Sequence, residues 1–171
     1  MGSKSFMAKP IIKFNNLELH KYKGKHVFPL YQNMSDQNIR EFEVLYEEDI
    51  LTTLLDCLDD DLCHVIESDG KPIAICGVCN QVLWTMFTKD IRKHWRSFVK
   101  ASPKLIDFYH HFYDQLYCSV WDENVFIQNW LVHLGFEPYE IEEGKHRIVN
   151  FVRCIPPYDS IDSKESRPVM H

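Results

Sequence analysis

Glycine is scarce in this chain, with six in 171 residues. That excludes a glycine-rich loop of the kind that lays bare backbone amides around a nucleotide phosphate in P-loop and dinucleotide-binding proteins. No run reaches the roughly 18 apolar residues of a membrane span, so none is expected. The N-terminus has no apolar stretch typical of a secretory signal. Met1-Gly2 does not open a myristoylation motif, because Phe6 stands where Ser or Thr is required. Positive charge is in deficit: 19 Lys and Arg against 25 Asp and Glu give a formal charge of −6. That balance argues against general nucleic-acid affinity, which depends on neutralised phosphates. The six cysteines (Cys57, Cys63, Cys76, Cys79, Cys118, Cys154) have no secreted context and read as reduced cytosolic thiols.

What is present is a globular composition, 45% hydrophobic and 13% aromatic, enough for a substantial core. One domain over 26–155 is expected, with an N-terminal extension at 1–25 and a polar, proline-containing tail at 156–171. In the extension, Met1–Ser5 reads as an appended tag or as native sequence with Met7 as an alternative start, and Ile11–Leu19 as one strand. His26–Leu30 (HVFPL) reads as a short apolar strand. Ser35 looks like a helix N-cap, followed by Ile39, Phe42 and Tyr46 at helical spacing. Ile50, Leu51, Leu54, Leu55 and Leu58 mark a second helix. Ten acidic residues and a single base, Arg40, fall between Asp36 and Asp61, which makes this a strongly negative helical pair.

Leu62–Glu67 and Pro72–Val78 read as strands joined at Ser68-Asp69-Gly70-Lys71, since Asp-Gly suits a tight type I′ turn. The organising stretch runs from Val82 to Phe136. It opens with a strand at Val82–Phe87, then a long amphipathic helix for which Asp90 is the expected cap. Pro103 interrupts that helix, and Ser102 can cap a new start, so either a kink or two consecutive helices is expected. A strand at Tyr117–Trp121 follows, then Asn124 as N-cap of Val125–Leu134 and Gly135 as a left-handed C-cap. A βαβ unit of this kind makes its two strands parallel. Ligands of open α/β sheets gather beyond the carboxyl ends of such strands, here near Phe87–Lys93 and Asp122–Asn124. Tyr139–Ile141 and Arg147–Val152 complete a final hairpin.

Several groups carry chemistry. Lys89, Arg92, Lys93, Arg96, Lys100 and Lys104 mostly lie four apart and share one slanting helix face. Such a face can capture phosphates or simply be solvated. Cys76-Gly77-Val78-Cys79 is a C-x-x-C at the end of a strand rather than at the helix N-terminus that redox pairs use. Structural zinc needs a second ligand pair, for which Cys63-His64 is the nearest candidate; buried structural thiols are the plainer reading. His110-His111 reads as surface or edge histidines. Trp84, Trp95, Trp121 and Trp130 sit on apolar faces and read as core.

The order of these pieces resembles the GNAT superfamily, the Gcn5-related N-acetyltransferases. The strongest local match is Asn124, an apolar helix, and the close Leu134-Gly135-Phe136. The stretches NIREFEVLYEEDILTTLL, DGKPIAICGV, LWTMFTKDIRKHWRSFVK and LYCSVWDENVFIQNWLVHLGF are most similar to GNAT-like proteins of tailed bacteriophages, known as internal virion protein A or as uncharacterised acyltransferases. Together they cover Asn38–Phe136, somewhat over half of the chain.

The resemblance implies an α/β fold with a mixed, mostly antiparallel sheet. A central parallel pair, Leu83–Phe87 and Cys118–Trp121, splays apart between flanking helices. It implies acetyl-CoA as cofactor, with the backbone of Trp84, Thr85, Met86 and Phe87 along the pantetheine and Asn124 in contact with it. Lys89, Arg92 and Lys93 would take the phosphates. An amine of a host or phage protein or nucleotide would be acylated directly, in host cytoplasm or virion interior. The alternative is a scaffold without catalysis that binds a protein partner. The chain departs from the family twice. The family's Gln/Arg-x-x-Gly-x-Gly/Ala loop is replaced by glycine-free Phe87–Lys93, and the tyrosine that protonates the leaving thiolate is replaced by Leu131. No single carboxylate of the acidic helices stands out as the base.

Overall fold

The computed structural model describes residues 9–155; the expected tag at Met1–Ser5 and the expected tail at 156–171 lie outside them. The strands are β1 (Ile12–Phe14), β2 (Leu17–Lys21), β3 (Cys63–Ser68), β4 (Lys71–Cys79), β5 (Val82–Phe87), β6 (Gln115–Trp121), β7 (Glu137–Glu142) and β8 (Ile148–Cys154). The helices are α1 (Val27–Asn33), α2 (Asp36–Tyr46), α3 (Ile50–Asp56), α4 (Ile91–His110) and α5 (Val125–His133). All eight strands form one sheet in the order β1-β2-β3-β4-β5-β6-β8-β7. Every neighbouring pair is antiparallel except β5 and β6. This is the expected α/β architecture.

The centre of the sheet is buried on both faces, while the edge strand β7 is exposed along its length. Leu30, Phe42 and Leu54 from α1–α3 pack with Val65, Ile75 and Met86 on one side. Phe98, Ile106 and Leu131 from α4 and α5 pack with Ala74, Cys76, Leu83 and Phe151 on the other. β4 lies in the middle and is buried without a break from Pro72 to Val78, which accounts for its continuous apolar sequence. The β3–β4 turn has Asp69 and Gly70 at φ 52° and 77°, the left-handed pair that a type I′ turn requires.

The structure corrects the sequence reading in five places. Ile11–Leu19 is not one strand but the hairpin of β1 and β2, turning at Asn15-Asn16 with Asn15 at φ 53°. The sheet therefore begins at Ile12, ahead of the expected domain start. His26–Leu30 is helical: Pro29 falls in the first turn of α1, where the missing N–H has no intrahelical partner to lose. Pro103 leaves α4 as one helix. Ser102 caps no new start; its hydroxyl donates back to the Phe98 carbonyl at 2.6 Å and accepts the Trp130 indole N–H at 3.0 Å. Asp90 precedes α4 in a helical conformation, so its side chain does not cap; it pairs with Lys71 at 2.8 Å instead. His110 is buried rather than at the surface, with Nδ1 on the Tyr113 carbonyl at 2.9 Å.

Beneath α4 runs a buried polar chain. Tyr109 donates its hydroxyl proton to Cys76 at 3.3 Å, so the His64 Nδ1–H 3.0 Å away must be the donor to Tyr109. Burial, aided by nearby Lys21, holds the His64 pKa down to about 4. A histidine depressed in the native state binds its proton more readily once unfolded, at about 6.5. Its contribution is therefore present above pH 6.5 and lost as pH falls from there through 4. The stability loss is expected to be on the order of 2–3 kcal/mol from this group. Urea melts at pH 7, 5.5 and 4 check it, and His64→Phe should flatten the slope.

Candidate functional site

β5 and β6 pair at a single position, Val82 with Tyr117, braced by the Tyr117 N–H on the Gln81 carbonyl at 2.8 Å. Beyond it they diverge, and the backbone of each turns toward a V-shaped gap. This is the expected splayed parallel pair. Alternation along β5 decides which amides reach the gap. Trp84 and Met86 turn theirs to β4, where they face Gly77 and Ile75. Thr85 and Phe87 turn theirs outward.

α2 enters this gap. Ser35 caps the helix, and Asn38 and Glu41 follow one turn apart on the same face. Asn38 Oδ1 accepts the Phe87 N–H at 3.2 Å, while the Ser35 N–H donates to the Phe87 carbonyl at 3.0 Å. Across the gap, Glu41 Oε1 accepts the Trp121 N–H at 3.2 Å, and Glu41 Oε2 accepts from Asn124 Nδ2. Asn124 Oδ1 meanwhile caps α5 through the Ile127 N–H at 3.2 Å. One helix thus contributes a polar side chain to each arm of the V, and Thr85 is left with an outward backbone that α2 does not cover.

At the closed end of the gap lies a pocket of about 50 Å³, lined by Glu41, Tyr46, Trp84, Thr85, Met86, Cys118 and Ser119 among others. It shares Asn38, Phe87 and Ile127 with a neighbouring groove of about 770 Å³ that reaches Lys89, Arg92, Trp95 and Phe126. Burial raises the Glu41 pKa, although the bonds from Asn124 and Trp121 pull the other way. The Tyr46 phenol is pushed up to about 12 by burial, then by Cys118 and Glu41 nearby. Burial and Glu41 push the Cys118 thiol up to about 12 as well, so neither group ionises near neutrality.

Of the residues picked out by sequence, Lys89 and Arg92 stand together on the groove, with Phe87 and Asn124 on its inner wall. Lys93 does not join them; its ammonium lies 3.7 Å from Asp90. Trp84, Thr85 and Met86 line the deep pocket. The loop before α4 has little backbone to offer a phosphate. The amides of Thr88, Lys89, Asp90, Ile91 and Lys93 bond to Ile73 O, Asn33 O, Thr88 Oγ1, Thr88 O and Asp90 O. Anion capture there falls to side chains. Leu131 is fully buried in the core. Among the described residues no cluster of three or more His, Cys, Asp or Glu could hold a metal ion.

Sequence reasoning missed Glu41. A signal was available: Asn38, Glu41, Phe42 and Leu45 fall at i, i+3, i+4 and i+7, so this carboxylate shares the inward face with the core residues. The other carboxylates of the acidic pair, such as Glu43, Glu48 and Asp56, face water.

An eight-stranded sheet with one splayed parallel pair and a groove at its open end is the arrangement of a known enzyme superfamily. The fold is that of the GNAT acetyltransferases. The acetyltransferase (GNAT family) from Bacillus anthracis aligns with a TM-score of 0.64 at 13% identity, over 84% of this chain and 97% of that one. RimL, the ribosomal L7/L12 alpha-N-protein acetyltransferase in complex with coenzyme A, aligns at 0.62 and 10% identity, over 86% and 98%. The ribosomal-protein-S5-alanine acetyltransferase from Vibrio fischeri aligns at 0.60 and 11%, over 86% and 97%. No protein-family model matches the sequence, and no curated protein matches it. Identity this low speaks for the GNAT fold and leaves the activity to be argued from the site.

Proposed function

We propose that this GNAT-fold protein binds acetyl-CoA and transfers the acetyl group to an amine. The observation that carries the reading is the pair of adjoining cavities, one between the splayed strands and one reaching Lys89 and Arg92, with Asn38, Phe87 and Ile127 in the lining of both. The donor set suits the cofactor: two cations for phosphates at the wide end, and the outward Thr85 backbone for an amide-bearing arm at the narrow end. Asn124 and Phe87 form the wall between. Bound there, acetyl-CoA would supply an activated thioester. The chain's own part is to align it, to polarise its carbonyl with strand amides and to exclude water from the deep pocket. No covalent enzyme intermediate is required.

One observation favours a second reading, a protein-binding scaffold without catalysis: the loop amides before α4 are already bonded within the chain. The resemblance of Asn38–Phe136 to GNAT-like internal virion proteins supports a bacteriophage setting for either reading, in host cytoplasm or virion interior. The partner would then be a host or phage protein or a small amine. Among the described residues no helix is long and apolar enough to cross a membrane.

Isothermal titration with acetyl-CoA separates the two. Micromolar binding is expected. No heat and no thermal shift at millimolar acetyl-CoA would leave the scaffold reading, to be pursued by co-sedimentation with capsids.

A further inference from the structure

We infer that Glu41 is the proton acceptor for the incoming amine, held in place by Asn124 and the Trp121 amide, an assignment that rests on the acyl-transfer reading above. Its carboxylate is the one among the residues lining the deep pocket. It is fixed from outside its own helix: Trp121 and Asn124, some eighty residues away in sequence, each give one hydrogen bond, one to each oxygen. A carboxylate accepts at about four lone-pair sites, so two remain for a ligand. Among the described residues it forms no ion pair. A tether between α2 and α5 needs no charge, and burying one without a counter-ion is costly. The cost is recovered when a cation enters the pocket, and a substrate ammonium is such a cation.

The titratable groups facing Glu41 are Tyr46 from its own helix and Cys118 from β6. Both stay neutral, and β5 and α5 present Trp84, Thr85 and Asn124. Glu41 is therefore the one carboxylate among the groups that face the pocket. A primary ammonium gives one proton to the Glu41 carboxylate, and the free amine attacks the thioester carbonyl carbon. The C–N bond forms, the C–S bond breaks, and a second nitrogen-bound proton ends on the departing sulfur. The products are the amide and free thiol, and Glu41 returns its proton to water.

The test uses the full chain with acetyl-CoA and n-butylamine, following thiol release between pH 6 and 9 above the uncatalysed background. Titration with acetyl-CoA alone is run in parallel. Glu41→Gln is expected to lower the release rate by about 100-fold or more, the usual worth of a general base, while acetyl-CoA affinity changes less than threefold. Glu41→Asp should recover part of the rate. Asn124→Ser keeps an oxygen to cap α5 and removes the amide donor. The acid limb of its pH–rate profile should move to higher pH, because the ionised carboxylate has lost a hydrogen bond. A Glu41→Gln protein that transfers as fast as the parent overturns the assignment, and so does a parent that binds acetyl-CoA yet does not accelerate release. A parent that does not bind acetyl-CoA overturns the acyl-transfer reading itself.

Discussion

Reversing both Lys89 and Arg92 to glutamate should weaken acetyl-CoA binding by about 100-fold or more, since charged hydrogen bonds contribute roughly 1.5–3 kcal/mol each and about 1.4 kcal/mol is tenfold. The two side chains are exposed on the wide end of the groove, and the backbone behind them is already bonded. No second set of donors takes over when they are lost. The effect should weaken as salt is raised, because both side chains are exposed. Lys93→Glu provides the contrast. That ammonium already leans on Asp90 and lies outside the groove, so its reversal should change affinity by less than about threefold, as for a screened surface pair. Titrations at low and high salt read all three proteins. Equal affinity of the double variant and the parent would remove phosphate capture from this loop.

The sequence exposed the parts of this site that rest on local rules. Asn124 with Gly135 framed α5, and the structure closes that helix with the Gly135 N–H on Val132 and the Phe136 N–H on Leu131, Gly135 sitting at φ 89°. Asp69-Gly70 fixed the β3–β4 register, and the strand–helix–strand pattern fixed β5 beside β6. What stayed hidden depends on pairs distant in the chain. Glu41 is one acid in a run of ten until Trp121 and Asn124 are brought against it. Lys93 looked equivalent to Arg92 until Asp90 was seen to turn outward, held by Lys71 from the next strand. His26 read as part of a strand because nothing local shows that its Nδ1 takes the Lys23 N–H while Nε2 reaches Glu67, forty-one positions on. His110 lies four residues after Ile106 on the buried face of α4, so the helical period did place it inward and only its polarity argued for the surface.

Gly77→Ala is expected to be the most damaging single-methyl change in the fold. A Cβ at this position would lie 2.7 Å from the Leu62 carbonyl oxygen and 2.8 Å from the Trp84 ring. The oxygen cannot retreat freely, because it accepts the Val78 N–H at 3.0 Å and belongs to the chain entering β3. The ring can move, but it moves into the site. Overpacking of this kind costs about 1–3 kcal/mol, which for a domain of this size lowers Tm by roughly 5 °C, and a thermal melt reads it. Acetyl-CoA binding gives the second measurement. Gly77 lines neither the pocket nor the groove, whereas Trp84 lines the pocket. A loss of affinity measured well below Tm therefore reports displacement of the indole. Combining Gly77→Ala with Trp84→Phe distinguishes the two clashes. If the ring carries most of the strain, the double variant is more stable than the sum of the single changes predicts. If the Leu62 carbonyl carries it, the two changes add, β4 has shifted against β3, and the gap between β5 and β6 is altered from behind.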